Sequence, residues 1–77
     1  MAVAHKITAF DIVELTERVD DAPAGARGAV LELREGDMAM IEVTKPDLGP
    51  AARIIFAPLS KVRIVEPAHG ARRGTAA

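Results

Sequence analysis

Aromatic side chains make up only 3% of this sequence, two Phe with no Tyr and no Trp, and cysteine is absent. Lack of cysteine excludes a disulfide framework, a thiolate metal site and thiol chemistry. Lack of Tyr and Trp removes the aromatic-lined groove that captures polyproline segments and the cage that holds methyl-lysine. Both Phe10 and Phe56 are expected in the core, which leaves no ring to stack on nucleic-acid bases. Long apolar runs are missing as well, far short of the roughly 20 residues a membrane helix needs. The opening Met-Ala-Val-Ala-His-Lys-Ile has no sustained apolar core of a signal peptide. These absences set the expectation of a soluble, cytoplasmic protein with no membrane partner.

Apolar residues nevertheless reach 49% of the 77 positions and charged ones 27%, the proportions of one folded domain. A chain this short sits near the lower limit for a core without staples, and self-association is one remedy. A homo-oligomer is therefore among the expected states. The formal net charge is −1, but it is unevenly spread. Residues 1–50 carry five Lys/Arg against ten Asp/Glu, whereas residues 51–77 carry five Lys/Arg against Glu66 alone.

Strand-like alternation begins at Phe10-Asp11-Ile12-Val13-Glu14-Leu15, where Asp11, Val13 and Leu15 share a face. Thr16 to Ala26 reads as a long polar connection with turn chemistry at Asp20-Asp21-Ala22-Pro23-Ala24-Gly25. The next strand, Gly28 to Arg34, sets Ala29, Leu31 and Leu33 on one phase and Val30 on the other. Apolar residues in both phases signal either a strand covered at one end or a bulge. Glu35-Gly36-Asp37 is a tight turn, and Met38 to Val43 returns with Ile41 and Val43 facing the core. Two prolines keep Thr44 to Pro50 out of a central strand. Arg53-Ile54-Ile55-Phe56 forms a fourth strand, Pro58-Leu59-Ser60-Lys61 one turn of 3-10 helix, and Val62 to Val65 the last strand.

Five short strands with these connections predict an all-β fold, a five-stranded SH3-like small barrel with a single 3-10 turn before the last strand. A ferredoxin-like fold would need two real helices, and an OB-fold longer strands with a helix before the fourth. Residues 1–7 are expected as a flexible N-terminal segment, 8–66 as the barrel and 67–77 as a disordered tail.

Asp11-x-Val13-x-Leu15, followed by Pro23-x-Gly25-x-x-Gly28-x-Val30, is similar to the opening of many SH3-like barrels. Within them the chain resembles the bacterial domain-of-unknown-function family 4926, over roughly Phe10 to Val65, with Ile54 to Ile64 the looser part. The glycines have a physical reason to recur. Gly25 suits positive φ at the loop end, and Gly28 suits a close crossing of strands. Similar spacing occurs in KOW-type nucleic-acid modules, CAP-Gly domains and the SH3-like subunit of photosystem I. The resemblance implies a small companion of a larger protein, of the antitoxin or immunity kind.

Catalysis finds little to stand on. Ser60 has no histidine near it in sequence, and His5 and His69 lie in the flanking segments. The strand carboxylates Asp11, Glu14, Glu32 and Glu42 read as solvated faces. No compact ligand spacing supports a metal, and no glycine-rich phosphate loop precedes a helix, so neither an enzyme nor a cofactor is expected. Binding to another protein, of unspecified identity, is the reading that remains. Its candidate contacts are the acidic loop residues Glu17, Asp20 and Asp21, the opposing cations Arg53, Lys61 and Arg63, and an aliphatic patch at Met38 and Met40. The alternative is a KOW-like module using the basic C-terminal half, with Arg53, Lys61 and Arg63 along one edge. A sequence pI of 6.1 argues against nucleic acid as the partner.

Overall fold

A computed structural model describes residues 7–49 and 53–68 of the chain. It contains β1 (Ile12–Leu15), β2 (Arg27–Arg34), β3 (Met38–Lys45), β4 (Ile54–Pro58), a 3-10 turn (Leu59–Lys61) and β5 (Val62–Glu66). All five strands lie in one antiparallel sheet of order β4-β3-β2-β1-β5. β1 to β4 form a meander, and the 3-10 turn carries β5 back to the far side of β1. The sheet is not closed: β4 and β5 are its two edges, and among the described residues no ladder joins them. The all-β, five-stranded expectation holds at that level.

One face of the sheet holds the core. Val13 lies opposite Gly28 and Gly28 opposite Val43, while Val30, Ile41 and Ile55 form the next row. Ala39 and Ala57 face each other beyond them, and Leu15 pairs with Val62 on the other side. All of these are buried. The alternation in β1 and β3 therefore points inward as the sequence indicates, and β4 follows with Ile55 and Ala57.

β2 resolves its two apolar phases in favour of Val30. A register shift between Val30 and Glu32 leaves Leu31 unopposed, so a bulge separates the two halves of the strand. Leu33 beyond it is 41% exposed. Gly36 and Asp37 both take positive φ in the β2–β3 turn.

The connection from Thr16 to Ala26 is less polar in its role than in its composition. Val19 and Ala22 exchange backbone hydrogen bonds at 2.9 Å in both directions, around a turn in which Asp20 has φ 52°. The loop thus folds back on itself and places Val19, Ala22 and Ala26 in the core. Their i, i+3, i+7 spacing is that of a helix face, which Pro23 and Gly25 break, so neither strand alternation nor a helix reveals them as core.

Asp11 corrects the expectation of a solvated carboxylate: it is buried, and among the described residues its hydrogen-bond partners are Thr8 and Ala68, which flank the sheet. It accepts hydrogen bonds from the Thr8 amide (2.9 Å), the Thr8 hydroxyl (3.3 Å) and the Ala68 amide (2.7 Å). Ile7 packs against the core from the segment expected to be flexible. The expected tail from Pro67 begins with two half-buried residues, and its remainder, 69–77, lies outside the described residues.

Candidate interaction surface

The outer face of the sheet divides into two regions of different chemistry. Across β5, β1 and β2 runs a charged row: Glu14 lies between Arg63 and Arg27, paired with both. Its carboxylate is the most covered of these groups, with 18% side-chain exposure. Across β3 and β4 the surface is apolar. Met40 stands opposite Phe56 and Met38 opposite Pro58, with Ile54 one row further along, opposite Glu42. Ile54 and Phe56 are 44% and 45% exposed, and the two methionines on the neighbouring strand are half-buried. A contiguous apolar patch on so small a domain is the feature that marks an interaction site, where single exposed aliphatics would mean nothing.

Phe56 corrects the expectation that both rings are spent in the core; Phe10 also is exposed, at 66%. The reason is volume. Ala22, Ala26, Ala39 and Ala57 are all buried, so the core is lined by small side chains where strands and loop press close. A phenyl ring in phase with Ala57 would overpack that space. On the outer face Phe56 instead receives the Arg34 guanidinium, whose carbon lies 5.6 Å from the ring centroid. That is cation–π geometry, and it covers one side of the ring.

The remaining candidates are scattered, and most are ion-paired. Glu17 pairs with Lys61 at 3.8 Å. Arg53 pairs with Glu42 at 3.9 Å and with Asp47 at 3.5 Å. Arg53 stands at the head of β4 whereas Lys61 and Arg63 belong to the β5 margin, the opposite edge in the sheet order. Asp20 serves the loop turn, its carbonyl accepting from Arg18 Nε at 3.1 Å, and Asp21 is exposed beside it. The structure therefore brings Met38 and Met40 together with Phe56, and Glu17 with Lys61. It does not assemble the three cations into one stripe. Ile54 and Phe56 are the surface residues that sequence reasoning missed. The available signal was Ala57 and Pro58: a small residue in phase with Ile55, followed by an outward proline.

Asp47 accepts a 2.9 Å hydrogen bond from the Gly49 amide. That bond first, and the Arg53 guanidinium second, hold its carboxyl below the usual aspartate value. A shallow, open depression of about 400 Å³ is lined by Glu32, Leu33, Arg34 and Glu35. Ser60 is exposed in the 3-10 turn, and His5 and His69 lie outside the described residues. Among the described residues no three His, Cys, Asp or Glu side chains converge as metal ligands, and no helix is long and apolar enough to cross a membrane.

No family model, curated protein or solved structure matches the chain.

Proposed function

We propose that this chain is a small, non-catalytic protein–protein interaction or regulatory module, acting in the cytoplasm on a larger partner through the outer face of β3 and β4. The observation that carries this reading is the half-exposed pair Ile54 and Phe56 on the outer face of β4, with Met40 opposite Phe56 and Met38 opposite Pro58 on β3. Burying such side chains against a partner is favourable by about 25 cal/mol per Å² of apolar surface removed from water. Aromatic and methionine side chains are also the types enriched at interface cores.

An SH3-like barrel is the finer fold within this proposal. The strand order, the long loop after β1 and the 3-10 turn before β5 support it. The resemblance to family 4926 supports the companion role, of antitoxin or immunity type. Affinity capture from the native host tests the reading: a partner protein is expected with the unaltered chain and lost with Phe56→Glu. Retention of the same partner by a folded Phe56→Glu chain would contradict the assignment of this face.

The nucleic-acid alternative draws support from one feature, the Arg34–Phe56 pair, because a ring backed by a cation can stack a base. Against it stand the carboxylate partners of Arg53, Lys61 and Arg63. Filter binding against salt separates the two readings, since a complex absent at low salt ends the alternative.

A further inference from the structure

We infer that β4 is a self-pairing edge, joined antiparallel to β4 of a second copy of this chain about a two-fold axis at Ile55, so that the outer-face side chains Ile54 and Phe56 of the two copies meet across the seam. The inference rests on the interaction role proposed above and names the partner.

The direction of the backbone groups follows from the ladder. The Val43 amide donates to the Arg53 carbonyl at 2.6 Å, which marks a hydrogen-bonded pair at the head of β4. In an antiparallel ladder such pairs alternate with non-bonded ones. Ile55 opposite Ile41 and Ala57 opposite Ala39 are therefore the next bonded pairs, and they turn their N–H and C=O groups toward β3. Ile54 and Phe56 fall in the intervening positions and direct theirs away from β3, to the free edge. Pro58 occupies the third outward position, where a residue without an N–H interrupts no bond to β3. Among the described residues no strand lies on that side of β4.

Two registers bring a second β4 alongside. Centred on Phe56, the pairing sets Ile54 against Pro58 of the other copy. The missing proline N–H then leaves the Ile54 carbonyl without a donor. Centred on Ile55, the pairing sets Ile54 against Phe56 in both directions, and every outward N–H and C=O of these two residues finds a partner. Four hydrogen bonds result, and both outward residues are fully paired. The side chains agree with this register, because an isoleucine facing a phenyl ring is a favourable cross-strand pair.

Charge favours a second copy as well. Ile54 to Pro58 carries no charge, so the pairing opposes no like charges, and the whole chain is close to neutral at −1. Natural edges usually carry a lysine or an inward charge that forbids this contact; β4 has Pro58 at one end and nothing else. Arg53 falls opposite Ala57 of the other copy and is already held by Glu42 and Asp47. A seam made by two outward residues of each edge is small and belongs with the weak, low-area class of association. The dimer is thus a concentration-dependent one, and its two-fold symmetry closes it, since each β4 is used once.

Sedimentation velocity over a concentration series tests this with three chains. The unaltered chain is expected to move from the mass of one chain to that of two. Ile54→Lys alone and Phe56→Glu alone are expected to remain single, with circular dichroism showing each still folded. An equimolar mixture of the two is expected to recover the two-chain species, because residue 54 of one faces residue 56 of the other. That recovery also excludes misfolding as the cause of dissociation. A single chain at every concentration overturns the inference, and so does association that grows beyond two. Failure of the mixture to recover overturns the register. If the unaltered chain stays single while Phe56→Glu still loses a captured host protein, self-pairing is refuted and the broader interaction role stands.

Discussion

Gly28 crosses β3 so closely that a Cβ on it would lie 2.8 Å from the Cα of Val43, with the Glu42 carbonyl nearer still. The obstruction is backbone on both counts, so no side chain can swing aside to relieve it. Gly28→Ala is expected to cost more than the ~1–3 kcal/mol typical of overpacking. Chemical denaturation measures it, and a cost below that of Gly25→Ala would count against the crossing. Gly25 has φ 90° but open space around it, so alanine there meets only backbone strain of about 1–2 kcal/mol.

Neighbours in β4 should respond in opposite ways. Ile55→Ala removes a core side chain and is expected to cost about 2–5 kcal/mol. Phe56→Ser, one residue on, removes a larger but half-exposed side chain and its Arg34 contact, and should cost about 0.5–1.5 kcal/mol, less than Ile55→Ala. Equal losses at the two positions would mean that Phe56 is not on the outer face.

Asp11→Ala leaves the amides of Thr8 and Ala68 without their acceptor in a half-buried setting, an expected loss of about 1–3 kcal/mol. Asp11→Asn keeps an acceptor oxygen and should recover part of it. Amide exchange at Ala68 is the specific readout, since a general loss of stability would not single it out.

Asp47 supplies a pH prediction. Its folded pKa is lowered, by the Gly49 amide first and Arg53 second. Its contribution is therefore complete above the ordinary aspartate range and fades as pH falls through the lowered value. A carboxyl titration followed by NMR is expected to show a midpoint below that of a free aspartate, with the Gly49 amide shift tracking it. Arg53→Gln should raise the midpoint only in part, because the amide bond persists. A full return to the ordinary value would make the guanidinium the main cause instead.

Alternation made β1 and β3 legible because polar residues interrupt their apolar ones: Glu14 separates Val13 from Leu15, and Glu42 separates Ile41 from Val43. The turn at Gly36 and the 3-10 turn after Pro58 were legible through backbone chemistry. Ile54-Ile55-Phe56-Ala57 was not, because apolar residues fill both phases and hydrophobicity alone cannot choose between them. Volume chooses: Ala57 meets the buried Ala39 across the ladder, so the phase it shares with Ile55 takes small and aliphatic side chains and leaves the ring to the other phase. Charge pairing was equally hidden. The basic C-terminal half looked available for a partner in the sequence, yet its described cations meet carboxylates from the acidic half across the sheet. Individual exposed pairs of this kind contribute little stability, about 0–1 kcal/mol, but they remove the cations from any single-sign stripe.

The Asp11 hub brings residues 8 and 68 to one side chain, and β1 and β5 run antiparallel from that point, Ile12 beside Glu66. A load applied between those two residues therefore meets the Asp11 bonds first and then the β1–β5 ladder from its end, one rung at a time. The protein yields to tension by unzipping, not by shearing a whole ladder at once. A partner or a protease machine that pulls on both ends of the sheet would strip β5 from β1 under small force, and Val62 would leave the core with it.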